Sequence, residues 1–120
     1  MQLHQTQAAI TGGASGLGLA VARHLIAHGA SVTLLDVNAE KGQAAAMELG
    51  ERARFAALDV TSESDAVNVL AEAKTTMGGL NAVISCAGIL GAGRVLGKDG
   101  PIPLSQFETT VRVNLVGSFN

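Results

Sequence analysis

Thr11-Gly12-Gly13-Ala14-Ser15-Gly16-Leu17-Gly18 joins an apolar run ending at Ile10 to a helix-patterned stretch beginning near Leu17. A strand, a turn of small residues and a helix start, in that order, leave backbone N–H groups unpaired at the positive end of a helix dipole. That arrangement holds anions. Glycines let the turn bend where a side chain would block it, and let the backbone come close to a pyrophosphate. The spacing, G-x-x-x-G-x-G, differs from the common G-x-G-x-x-G dinucleotide fingerprint.

Outward from this turn, apolar runs alternate with helical patterns in the βαβ rhythm of a parallel sheet. Strands are predicted over Ala8 to Thr11, Ser31 to Asp36, Phe55 to Val60 and Asn81 to Ser85. A first helix runs from Gly16 to His28, with Leu17, Val21, Leu25 and His28 on its inward stripe and Gly29 just past its end. Asn38 caps a second helix that Gly50 stops, and Thr61 or Ser62 caps a third, whose stripe is Ala66, Leu70, Ala73 and Met77. From Ile89 to Leu104 periodicity gives way to glycine and proline, which predicts a long surface loop. Ser105-Gln106-Phe107-Glu108 reads as a capping box opening a last helix striped by Phe107, Val111, Leu115 and Phe119.

Composition narrows the function. The chain has 120 residues, enough for one small domain, and a net charge of −2. Neither that charge nor its three phenylalanines suit a nucleic-acid surface. No apolar run is long enough to span a bilayer, and Met1 to Gln7 has no targeting pattern, so a cytoplasmic protein is expected. The single cysteine, Cys86, has no partner for an internal disulfide and reads as a small buried hydrophobe. His24 and His28 stand four apart on one helix, but no motif supplies further ligands, and no metal site is expected.

The glycine turn, Asp36 closing the second strand, Asp59-Val60 closing the third, Ser85-Cys86-Ala87-Gly88 closing the fourth and Val113-Asn114-Leu115 in the last helix come in an order that resembles the short-chain dehydrogenase/reductase family. Among its branches the chain looks most like the type 2 3-hydroxyacyl-CoA dehydrogenases. The resemblance implies a Rossmann-type, doubly wound α/β fold with strand order 3-2-1-4 plus the following helix, over residues 1–120. It implies an NAD site in which Gly12, Ser15, Gly16, Leu17 and Gly18 meet the pyrophosphate and its ribose. Asp36 would accept the adenosine ribose hydroxyls and repel a 2′-phosphate. Asp59 and Val60 would meet the adenine, the Ala87-Gly88 backbone would approach the nicotinamide ribose, and Cys86 would line the cofactor groove. Asn114 resembles the catalytic-tetrad asparagine, whose main-chain carbonyl holds a water in the proton relay.

The family's serine, tyrosine and lysine lie beyond this helix, and the chain contains no tyrosine. Two readings follow. The first is the coenzyme-binding portion of an oxidoreductase that transfers hydride between a secondary alcohol of the 3-hydroxyacyl-CoA type and NAD, homo-oligomeric in its parent form and inactive as 120 residues alone. The second is a nucleotide-binding or interaction module that performs no chemistry.

Overall fold

The computed structural model describes residues 2–91 and 93–120. Four strands, β1 (Gln7–Thr11), β2 (Ser31–Asp36), β3 (Ala53–Ala57) and β4 (Ala82–Ser85), form one parallel sheet in the order β3-β2-β1-β4. The register sets Ala9 between Thr33 and Val83, and Ile10 between Leu34 and Ile84. Because side chains alternate along a strand, Ala8, Ile10, Val32 and Leu34 share one face and Ala9 and Leu35 the other. The central strands β1 and β2 are buried on both faces, which is why they read as near-continuous apolar runs.

Helices α1 (Gly16–Ala27) and α2 (Ala39–Leu49) cover the first face, and α3 (Glu63–Met77) the second. Ala22 and Leu25 of α1 and Ala45 of α2 are buried in the first cluster, and Ala66 of α3 in the second. The small side chains bring helix and sheet close together. Caps set the helix ends: the Asn38 side chain accepts from the Lys41 amide at 2.9 Å, and Ser62 from that of Asp65 at 3.3 Å. Gly78 ends α3 in the left-handed conformation.

Four expectations are corrected. Leu17 is 80% exposed and His28 is also exposed, so the inward stripe of α1 is Gly18, Ala22 and Leu25 instead. The first turn of α1 overhangs the strand ends, and only a glycine fits where it crosses them. β3 begins at Ala53 and leaves the ladder after Ala57; the Leu58 amide makes the last bond, to Asp36 O, before the chain turns over the strand end. Of the apolar residues that suggested a longer strand, Leu58 is a buried member of the second cluster and Val60 packs against that cluster.

The segment 89–104 is not featureless: β5 (Leu96–Gly97) and β6 (Gly100–Pro101) make a small antiparallel hairpin around Lys98-Asp99. α4 (Leu104–Val111) begins one residue before the expected capping box. Its cap is Pro103, whose carbonyl accepts from the Gln106 amide at 3.0 Å, and Ser105 lies inside the helix. A π-helical turn, Arg112–Val116, joins α4 to the short α5 (Gly117–Phe119). Of the apolar stripe expected on the last helix, Phe107, Leu115 and Phe119 are exposed. Thr110, Val111, Val113 and Gly117 are the less exposed positions.

Candidate functional site

Four strands end on the same side of the sheet, and each hands over to a loop there. The loops surround a groove of about 460 Å³ lined by Gly12, Ser15, Gly16, Leu17, Gly18, Asp36, Asp59, Val60, Cys86, Ala87 and Gly88. In open α/β sheets ligands bind at the carboxyl ends of strands where the connections switch faces. That switch occurs between β1 and β4, because α1 and α2 lie on one face and α3 on the other. Leu35, Val37, Leu58, Ile89 and Val113 also line the groove, and sequence reasoning missed them. Val37 and Ile89 directly follow residues that were singled out, so the strand-end rule would have found them.

The glycine turn divides its work among its members. At Gly18 a Cβ would run into the Gly12 carbonyl, so this glycine lets α1 lie on the turn. At Gly12 a Cβ would come within 2.8 Å of the Ala87 nitrogen and the Cys86 oxygen, so the turn crosses the end of β4 in direct contact. Gly16 differs: its φ is +53°, and the space where its Cβ would sit is open. Open space over a left-handed glycine at a helix start admits a ligand to the backbone. Ser15, the N-cap of α1, makes no side-chain capping bond, which leaves the first amides of the helix without a partner from it.

Asp36 does more than the sequence suggested. Its Oδ2 accepts from the Ala14 amide at 3.1 Å and its Oδ1 from the Asn38 amide at 3.0 Å. The carboxylate therefore braces the glycine turn from β2 while retaining lone pairs for a further donor. The Gly13 amide adds a second brace, donating to Leu35 O at 3.2 Å.

Asp59 Oδ1 accepts from both the Thr61 amide at 2.9 Å and the Thr61 hydroxyl at 2.7 Å. The Thr61 amide first, then its hydroxyl, hold the Asp59 carboxyl below the ordinary carboxylate range; desolvation opposes them, and the Arg112 charge adds a still weaker lowering. The cap of α3 is Ser62, so Asp59 stands ahead of the helix rather than on its N-terminus.

On β4 the amides of Cys86 and Ala87 both donate to Thr11 Oγ1, at 3.2 and 3.1 Å. Cys86 is half-buried rather than buried, packed against the first cluster on one side and facing the groove on the other.

Asn114 does not line the groove; its neighbour Val113 does. Its side chain clasps Ile89, accepting from the Ile89 amide at 2.8 Å and donating to the Ile89 carbonyl at 2.9 Å. Its main-chain carbonyl accepts from the Ser118 hydroxyl at 2.9 Å. The residue sits inside the π-helical turn, a distortion frequent at functional sites. Among the described residues, no group of three or more His, Cys, Asp or Glu could hold a metal; His24 and His28 stack on each other with ring centres 4.3 Å apart. No described helix is long and apolar enough to cross a membrane.

Comparison with known proteins places this arrangement. The chain is 46% identical over 115 residues to 3-hydroxyacyl-CoA dehydrogenase type-2 of Homo sapiens, covering 94% of this chain and 44% of that protein. It is 47% identical over 83 residues to 3-beta-hydroxysteroid dehydrogenase of Comamonas testosteroni, covering 69% of this chain and 33% of that protein. The crystal structure of 3-hydroxyacyl-CoA dehydrogenase type-2 from Mycobacterium avium superimposes with a TM-score of 0.87 at 37% identity, over 98% of this chain and 46% of that one. The chain thus spans less than half the length of these relatives. The short chain dehydrogenase profile matches residues 6–120, and the chain belongs to that family.

Proposed function

We propose that the chain is the coenzyme-binding portion of an NAD-dependent dehydrogenase that oxidises a secondary alcohol of the 3-hydroxyacyl-CoA type. The observation that carries this reading is the groove itself: it joins an open, left-handed Gly16 and a helix start free of side-chain capping to two carboxylates, Asp36 and Asp59, at successive strand ends. The amides at the start of α1 would hold the pyrophosphate. Asp36, with its remaining lone pairs, would accept the adenosine ribose hydroxyls and repel a 2′-phosphate. The free oxygen of Asp59 and the Val60 backbone would meet the adenine. Thr11 fixes the Cys86-Ala87-Gly88 backbone from below, and Asn114 fixes Ile89 beside it. When bound, NAD supplies the hydride acceptor.

Proton transfer is a separate matter. No tyrosine is present, and neither a histidine nor Lys98 is among the residues lining the groove. Both readings therefore expect no turnover from these 120 residues by themselves. NADH formation from 3-hydroxybutyryl-CoA separates the two. The 120 residues bind NAD without turnover, and a chain continued through a Tyr-x-x-x-Lys segment turns over. Absence of turnover in the continued chain would leave the module. Turnover by the 120 residues would contradict the assignment of proton transfer to groups outside them.

A further inference from the structure

We propose that Asn120 is a positioning residue for the base of the coenzyme, acting through the Val60-Thr61 peptide on the Asp59 carboxylate. The inference rests on the coenzyme reading of the main groove and names a residue outside the groove that shapes its adenine end. Asn120 directly follows α5 and does not line the groove. Its amide donates to Val116 O at 2.9 Å, and its Nδ2 donates to Val60 O at 3.0 Å. The N–H at the other end of that same peptide, on Thr61, donates to Asp59 Oδ1 at 2.9 Å. A peptide group is planar, so holding its carbonyl also sets the direction of its N–H. Asn120 and Asp59 thus grip one rigid unit from opposite ends.

The unit needs holding because the sheet does not reach it. The last ladder bond, from the Leu58 amide to Asp36 O, comes before it in the chain. A depression of about 260 Å³, lined also by Gly117 and Asn120, shares Leu35, Leu58 and Val60 with the groove, so Val60 is a wall between two spaces. Gly117 lets the helix come down onto that wall: a Cβ there would come within 2.5 Å of Val60 Cγ2. Packing on the second cluster places the Val60 side chain, and the Asn120 bond fixes which way its carbonyl points. The Thr61 amide is the largest influence on the Asp59 carboxyl, ahead of the Thr61 hydroxyl, with desolvation opposing and Arg112 weakest. Tilting the peptide would therefore loosen the carboxylate that the amino group of adenine would meet.

Two titrations of the full 120-residue chain test this. Carboxyl NMR of the free chain gives the Asp59 midpoint, which Asn120→Ala should raise toward the ordinary value of 3.8. Isothermal titration then compares NAD+ with nicotinamide hypoxanthine dinucleotide, in which an oxygen replaces the amino group that would donate to the carboxylate. Asn120→Ala should weaken NAD+ by about fivefold, the worth of one hydrogen bond, and the analogue by less than about twofold. Asn120→Asp, which keeps the shape and loses the donor, should move both titrations in the same direction. Asn120 is exposed, so the sheet core is untouched by either change. A merely structural role would leave the Asp59 midpoint in place and weaken both dinucleotides alike. An unmoved midpoint, equal weakening of the two dinucleotides, or an unaltered NAD+ affinity would each overturn the positioning role. Binding of neither dinucleotide by the unaltered chain would overturn the coenzyme reading instead.

Discussion

The first two-thirds of the chain and the last third contain similar apolar side chains and use them differently. Every buried described residue lies between Thr6 and Ala73, and none between Lys74 and Asn120. Leu34 is wholly enclosed at 0% exposure, whereas Leu115 is 66% and Phe119 94% exposed. The radius of gyration, 15.9 Å, exceeds the roughly 14 Å of a compact domain of this length, as expected when part of the chain is not packed into the core. Hydrophobic periodicity thus marks a face that something covers, without saying whether the cover comes from the same 120 residues. An exposed apolar face beside the open edge of β4 invites association.

The largest expected effect breaks or confirms that contrast. Leu34→Ala should lower the unfolding free energy by about 3 kcal/mol, through lost transfer energy and a cavity in the sheet core. Leu115→Ala should change it by less than about 0.5 kcal/mol. Urea unfolding of both variants measures this, and equal losses would mean that the last helix packs as tightly as the sheet.

The glycine turn sharpens the comparison within the first region. Gly18→Ala forces a Cβ onto the Gly12 carbonyl and should cost about 2 kcal/mol, close to the overpacking range. Gly16→Ala meets only open space and a positive φ, and should cost about 1 kcal/mol of strain. Its larger effect should be on NAD affinity, where the added methyl stands in the ligand's path. Calorimetric titration alongside thermal unfolding separates the two, and identical behaviour would remove the division of labour argued for the turn.

A smaller effect, of opposite sign, is expected at Thr33. Its hydroxyl is buried in β2 without a hydrogen-bond partner, so Thr33→Val should stabilise the chain by about 1 kcal/mol. A loss of stability on urea unfolding would show that the hydroxyl is in fact satisfied.

The smallest effect couples the two regions. Asp59 belongs to the first and Arg112 to the second, and Arg112 is the weakest of the influences on the Asp59 carboxyl. Because the folded pKa is depressed, the stability it contributes is present above the ordinary value of 3.8 and is lost as pH falls through the lowered folded value. Thr61→Val should raise the Asp59 midpoint, by removing the hydroxyl bond, more than Arg112→Ala does. Carboxyl NMR titration gives both, and a larger shift for Arg112→Ala would make the Arg112 charge the stronger influence.

Strand order and the carboxyl-end groove were legible in the sequence because their signals are local. Each strand is an apolar run, and each functional position follows one directly: Gly12 after Thr11, Asp36 at the end of β2, Cys86 after Ser85. What escaped was set by three-dimensional neighbours. Leu17 lies on the apolar stripe by periodicity, yet the turn beneath it turns it outward. Ser105 carries a capping pattern, yet Pro103 starts the helix first. The roles of Asp36 on Ala14 and of Asn114 on Ile89 join residues distant in sequence, and no spacing rule reaches them.

We propose that Asp36 and the glycine turn form a site for NAD rather than NADP. Isothermal titration of the 120-residue chain with each coenzyme tests it most directly. The account expects saturable NAD+ binding and NADP+ binding weaker by about tenfold or more, the scale of one like-charge clash, with Asp36→Ala narrowing the gap. Equal binding of the two coenzymes by the unaltered chain, or no binding of either, would contradict it.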